Sequence, residues 1–169
     1  MGKLQQSWGP LLLLALSLVG AGISIYLISV HYENVPLLCS TSGLIDCSRV
    51  LSSTYSVVPG TSVPVSVPGL LWCAASATLA IAGLRVLQPQ VRRRIQVAQF
   101  AWSLLGILTV IYLIYVEIVI LHTICAWCTG LHVIILAMFL TTIVQLQTSE
   151  DEAEADIEEA LPGKAGSRS

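Results

Sequence analysis

The chain is 169 residues long, 55% apolar and only 11% charged, with a net charge of −2 and a mean hydropathy of +0.81. That balance excludes a soluble globular domain and marks an integral membrane protein. The acids are sorted: Glu150, Asp151, Glu152, Glu154, Asp156, Glu158 and Glu159 crowd the last twenty residues, what precedes them is mildly basic, and no nucleic-acid partner is expected.

Leu11 to Val30 carries no charge, about the ~20 residues a helix needs to cross a ~30 Å hydrocarbon core. Lys3 precedes it, so a cleaved signal peptide is the competing reading; the run exceeds a typical signal h-region and no clear Ala-x-Ala site follows. From His31 to Val67 the chain is punctuated by Pro36, Gly43, Pro59, Gly60 and Pro64 and reads as a loop outside the bilayer core. A loop of this length is more often functional than a plain connector. It holds Cys39 and Cys47, and Ser48 to Ser53 is expected to form a short helix. Pro68 and Gly69 open a second apolar run to Leu87, with proline suited to a first helical position. Gln88-Pro89-Gln90 breaks the chain and Arg92-Arg93-Arg94 follow. Ile95 to Leu121 is the third run, interrupted only by Glu117, and Ile124 to Leu146 is the fourth, begun by Cys125-Ala126-Trp127-Cys128.

These runs predict an all-α membrane protein, a four-transmembrane-helix bundle over residues 1–148, followed by an acidic tail, 149–169, expected to be disordered or loosely helical. Four spans put both termini on one side. Arg85 and Arg92 to Arg94 make that side cytoplasmic, because Lys and Arg are retained there. The expected location is a cell membrane, multi-pass, of the bacterial cytoplasmic type. All four paired cysteines then lie on the outer side, where disulfides form and persist.

A Cys-x-x-Cys can close into a disulfide, ligate a metal or simply be buried. Cys125 and Cys128 fall in the first turn of a helix, where unpaired N–H groups and the macrodipole favour a thiolate, the species that attacks disulfides. Cys39 and Cys47 sit in a loop expected to move. A mobile pair beside a fixed pair suits an electron relay. Two stapling disulfides in a non-enzymatic scaffold are the bland alternative. A Cys₄ zinc site is opposed by the seven-residue gap of the loop pair, and no metal is expected. Cys73, inside an apolar run, reads as a small hydrophobe. Glu117 is a candidate proton relay because it is ionisable within a span, unless it reaches the interface. His31 and His122 read as headgroup-level residues, Trp72 and Trp102 as interfacial or packing aromatics, and Trp127 as a shield for the redox pair.

The order Cys-x₇-Cys-Ser-Arg-Val-x-Ser-Ser, then Cys-x-x-Cys at the head of the last span, resembles the vitamin K epoxide reductase family, its bacterial branch in particular, over about residues 11–146. The resemblance implies a four-helix bundle around a quinone, menaquinone or ubiquinone. It implies that Cys39 meets an extracytoplasmic thioredoxin-fold, DsbA-like partner, that Cys47 passes electrons to Cys125, and that Cys128 faces the quinone. Ser53 matches a serine placed near the cysteines and quinone. His132 stands where animal members carry a tyrosine and would contact the quinone. Val65 falls where they carry a quinone-binding asparagine, a departure that argues against epoxide reduction. No fused thioredoxin domain is expected, so the partner would be a separate chain. The function implied is a membrane thiol–quinone oxidoreductase that reoxidises a disulfide donor. The alternatives are a vitamin K epoxide or quinone reductase, or the scaffold. The DsbB type of four-helix reductase has its cysteine pairs in the reverse order.

Overall fold

The computed structural model describes residues 2–33, 36–39, 43–86 and 88–160. Four long helices, α1 (Gly2–Glu33), α3 (Ser66–Arg85), α4 (Pro89–Tyr115) and α5 (Ala126–Ala160), alternate in direction; the loop between α1 and α3 carries a short helix, α2 (Cys47–Leu51), and a 3₁₀ turn, Thr54–Ser56. Stretches Trp8–Glu33, Ser66–Arg85, Pro89–Ile120 and Ala126–Asp151 are each long and apolar enough to cross a membrane. Leu18, Leu71, Leu108 and Val133 point outward from the bundle, as side chains facing lipid do. The protein is a multi-pass membrane protein.

α1 packs on α3, α3 on α4, α4 on α5 and α5 on α1, which closes a ring of four helices. Lipid gives no hydrophobic drive between spans, so such interfaces rest on close packing of small residues and on hydrogen bonds. A Cβ on Gly20 would lie 2.9 Å from Cys73 Sγ, and one on Gly106 would lie 2.6 Å from Trp72 Cζ2. Cys73 is buried in the α1–α3 seam, the packing role expected of it. Trp72 and Trp102 each donate Nε1–H to the other's carbonyl at 3.3 Å, with rings 6.4 Å apart. Both therefore lock α3 to α4. Ser103 and Thr142 join α4 to α5 at 3.1 Å.

The break expected at Gln88-Pro89-Gln90 is a helix start. Pro89 opens α4, so Arg92, Arg93 and Arg94 stand on its first turns instead of in a loop. Arg93 reaches Glu150 at 3.6 Å between two exposed side chains, a pair worth little in water. The fourth helix runs past Leu146 to Ala160, through the first part of the acidic stretch; 161–169 lie outside the described residues.

Candidate redox site

The site is built at the end of the bundle where α1 and α4 finish and α3 and α5 begin. α4 continues into a π-helical turn, Val116–Ile120, in which the Leu121 N–H returns to the Val116 carbonyl at 2.9 Å. His122 then takes a left-handed conformation (φ 51°), and the Thr123 N–H closes on the Glu117 carbonyl at 3.0 Å. His122 is thus the residue that turns the chain. Three residues later Cys125 stands just before α5, one position earlier than the sequence suggested. Its carbonyl accepts the Thr129 N–H at 2.9 Å and its sulfur the Cys128 N–H at 3.5 Å. Cys125 is the N-cap of the helix, its Sγ in the place usually taken by a hydroxyl or carboxylate oxygen.

The loop is pinned to this turn. Ile45 and Ile124 form a parallel bridge: Asp46 N–H donates to Ile124 O at 3.1 Å and Ile124 N–H to Leu44 O at 2.9 Å. The Thr123 hydroxyl adds a bond to Leu44 O at 3.0 Å. Asp46 then caps α2, accepting the Arg49 N–H at 3.0 Å, and Cys47 is the first residue of that helix. Cys47 and Cys125, both fully buried, share one apolar cluster with Val50, and Cys39, Cys128, Leu37, Leu121 and Trp127 pack against it. On the other flank, Leu38 gives its N–H to Tyr26 Oη and receives Trp127 Nε1–H on its carbonyl, both at 2.9 Å. The loop expected to move is held on both sides of its cysteines.

All four paired cysteines meet in this cluster. Cys39 and Cys47 form a disulfide with Cα atoms 6.2 Å apart, while Cys125 and Cys128 are thiols. The Cys128 thiol, hydrogen-bonded to Cys125, holds the Cys125 thiol below its ordinary pKa; burial opposes this, and the Cys128 and Trp127 N–H groups assist it.

The other expected residues are more dispersed. His132 is buried one turn beyond Cys128. Ser53 donates its hydroxyl to Val50 O at 2.7 Å, so it supports the cluster through α2. Val65 precedes α3 with no side-chain cap. Glu117 does not reach for the interface: it is 6% exposed, and its carboxyl is close enough to the start of α5 to interact with the Cys128 thiol and the Cys125 backbone. Tyr26 carried no signal in the sequence, since nothing local connects it to a loop ten residues on. The groove lined by Gln90, Arg93, Arg94 and Val97 lies at the opposite end of the bundle.

Residues 11–143 match the model of the vitamin K epoxide reductase family. The chain belongs to that family. With its four spans and cysteine pairs it is a membrane oxidoreductase of the thiol-disulfide and quinone class. No curated protein matches the chain.

Proposed function

We propose that this member of the vitamin K epoxide reductase family reoxidises a thioredoxin-fold protein outside the membrane and passes the electrons to a membrane quinone. The observation that carries the reading is the single cluster in which a Cys39–Cys47 disulfide and a Cys125/Cys128 dithiol pack together. A thiolate of the reduced partner attacks Cys39, and its second thiol resolves the mixed disulfide. The partner is left oxidised and Cys39 and Cys47 reduced. Cys47 then attacks Cys125 of an oxidised Cys125–Cys128 pair and releases Cys128; Cys39 resolves Cys47, which restores the loop disulfide and leaves the inner dithiol. That dithiol loses two electrons and two protons as it closes again. A bound quinone supplies the accepting carbonyls. His132 is the residue that fits it, a buried imidazole within the span one turn beyond Cys128. Ser53 stands behind α2 as a supporting contact. The Arg85 to Arg94 end is cytoplasmic in this reading and the cysteines face the outer compartment.

The test is thiol trapping on the full-length protein in detergent with a reduced thioredoxin-fold dithiol and a short-chain ubiquinone or menaquinone. Cys128→Ala should leave quinone reduction at background. Cys39→Ala should lose exchange with the protein dithiol while a small dithiol still drives the inner pair. Both pairs staying oxidised and indifferent to dithiol and quinone would instead make them staples.

A further inference from the structure

Glu117 has no part in the relay just described, yet nothing else in the spans resembles it. It is the one acid between the loop and the acidic stretch, and burying a carboxyl without a compensating partner is costly. The chain places it by an irregular device. In the π turn Val116 and Glu117 face inward while Ile118, Val119 and Ile120 face out, and π turns of this kind recur at functional sites. The Thr123 N–H closes on the Glu117 carbonyl at 3.0 Å and folds the chain back, so that the buried carboxyl lies beside the Cys-x-x-Cys and interacts with the Cys128 thiol and the Cys125 backbone. Among the described residues the titratable groups that bear on it are the Cys125 and Cys128 thiols. α3 offers one charge, Arg85, at its far end; α5 carries the titratable His132 one turn beyond Cys128, and its acids begin only at Glu150.

We propose that Glu117 is a catalytic residue, the proton acceptor and donor for Cys128 Sγ. This rests on the thiol–quinone reading and assigns its proton path. When Cys47 attacks Cys125, the Cys125–Cys128 bond breaks and Cys128 leaves as a thiolate; the Glu117 carboxyl gives it a proton. When the inner dithiol is oxidised, the Glu117 carboxylate takes the proton from Cys128 Sγ–H and Cys125 Sγ loses its own as the disulfide closes; a bound quinone would accept the electron pair with two protons, one from Cys125 Sγ–H and one from water outside the site. Each proton taken in the second step replaces one given in the first, so the carboxyl is unchanged over a cycle.

The experiment compares full-length wild type, Glu117→Gln and Glu117→Asp in detergent, with dithiothreitol as reductant and a short-chain ubiquinone as acceptor. Glu117→Gln should lower kcat by about 10²-fold and abolish the limb of the pH–kcat profile that Glu117 sets, with the KM for dithiol changed less than about twofold. Glu117→Asp should keep the limb and recover about tenfold over Gln. A Gln variant within about threefold of wild type in kcat would overturn the proposal. So would Asp and Gln variants equally impaired with the wild-type pH profile, the signature of a packing role. Iodoacetamide alkylation of Cys128 against pH, read by mass spectrometry, needs neither quinone nor partner. Displaced wild-type and Gln profiles are expected, and superimposable ones would refute the contact. If wild type reduced no quinone, the functional reading would fall and this second measurement would still decide Glu117.

Discussion

Trp127 donates its Nε1–H to the carbonyl of Leu38 at 2.9 Å, which ties the residue between the two inner cysteines to the neighbour of the outermost one. Its ring also rests on Tyr26, centroids 4.7 Å apart, and Tyr26 Oη takes the Leu38 N–H. Leu38 is bracketed by α1 and α5 together. Cys39 therefore sits on a segment whose position depends on the helix that Cys125 caps and that carries Cys128.

Trp127→Phe keeps a ring against Tyr26 and deletes one hydrogen bond, worth about 0.5–1.5 kcal/mol. The Cys39–Cys47 disulfide should then be reduced by a small dithiol about 2- to 10-fold faster, as the bracketing bond is lost. Timed trapping with a maleimide measures this. Unchanged rates would show that the loop opens without breaking the Trp127–Leu38 bond.

The four spans were legible because hydropathy is a local property, and so was the pairing of Cys39 with Cys47 once the family resemblance was seen. What places the pairs in contact was not legible. The Ile45–Ile124 bridge and the Trp127–Leu38 bond join segments about 80 to 90 residues apart; the bridge uses only backbone groups that every residue carries, and the indole N–H ends on a backbone carbonyl that any residue could offer. Glu117 showed itself as an acid in an apolar run. Its direction depends on the π turn, which no residue type announces.

Gly20 and Cys73 give a packing test. Gly20→Ala brings a Cβ to 2.9 Å from Cys73 Sγ and should cost about 1–3 kcal/mol of stability. Cys73→Ala alone should leave quinone turnover unchanged, and in the double variant it should restore much of the loss by removing the sulfur. Thermal unfolding in detergent reads both. Strictly additive effects would mean that the two residues do not share the seam.

Cys125 titrates low because the Cys128 thiol hydrogen-bonds to its sulfur and favours the thiolate. A lowered pKa means more thiolate at a given pH. Removing the donor reverses the sign, so Cys128→Ala should move the Cys125 titration upward and leave less thiolate near neutrality. In a Cys73→Ala background Cys125 is then the free thiol that ultraviolet thiolate absorbance follows. A midpoint that stays or falls would mean that the backbone N–H groups alone set it.

The orientation in the membrane follows from charge at the two ends. Arg85 closes α3 and Arg92 to Arg94 open α4, all at the end away from the cysteines. Reporter fusions after Gln90 and Gly163 should behave as cytoplasmic, and one at Thr61 as exported. A cytoplasmic signal at Thr61 would place the disulfide in a reducing compartment and remove the basis for a relay.

Quinone and epoxide should be distinguished at Val65. Opening an epoxide needs a proton delivered to its oxygen, whereas a quinone takes electrons and protons at two carbonyls, so the donors that suit them differ. Val65 spends its N–H on Ser56 O at 2.9 Å and its carbonyl on Gly69 N–H at 3.2 Å, and its side chain has no hydrogen to give. Animal members of the family are expected to present an asparagine amide at this point. Lacking one positioned donor in a water-poor site costs about 10²–10³ in rate, enough to separate an activity from its near absence. With the same reduced partner, the wild-type protein should turn over quinone and leave vitamin K epoxide nearly untouched. Val65→Asn should raise epoxide turnover and leave the quinone rate near that of wild type. Comparable turnover of both substrates by the wild type would show that the proton for the epoxide comes from elsewhere in the site, with His132 the first residue to replace.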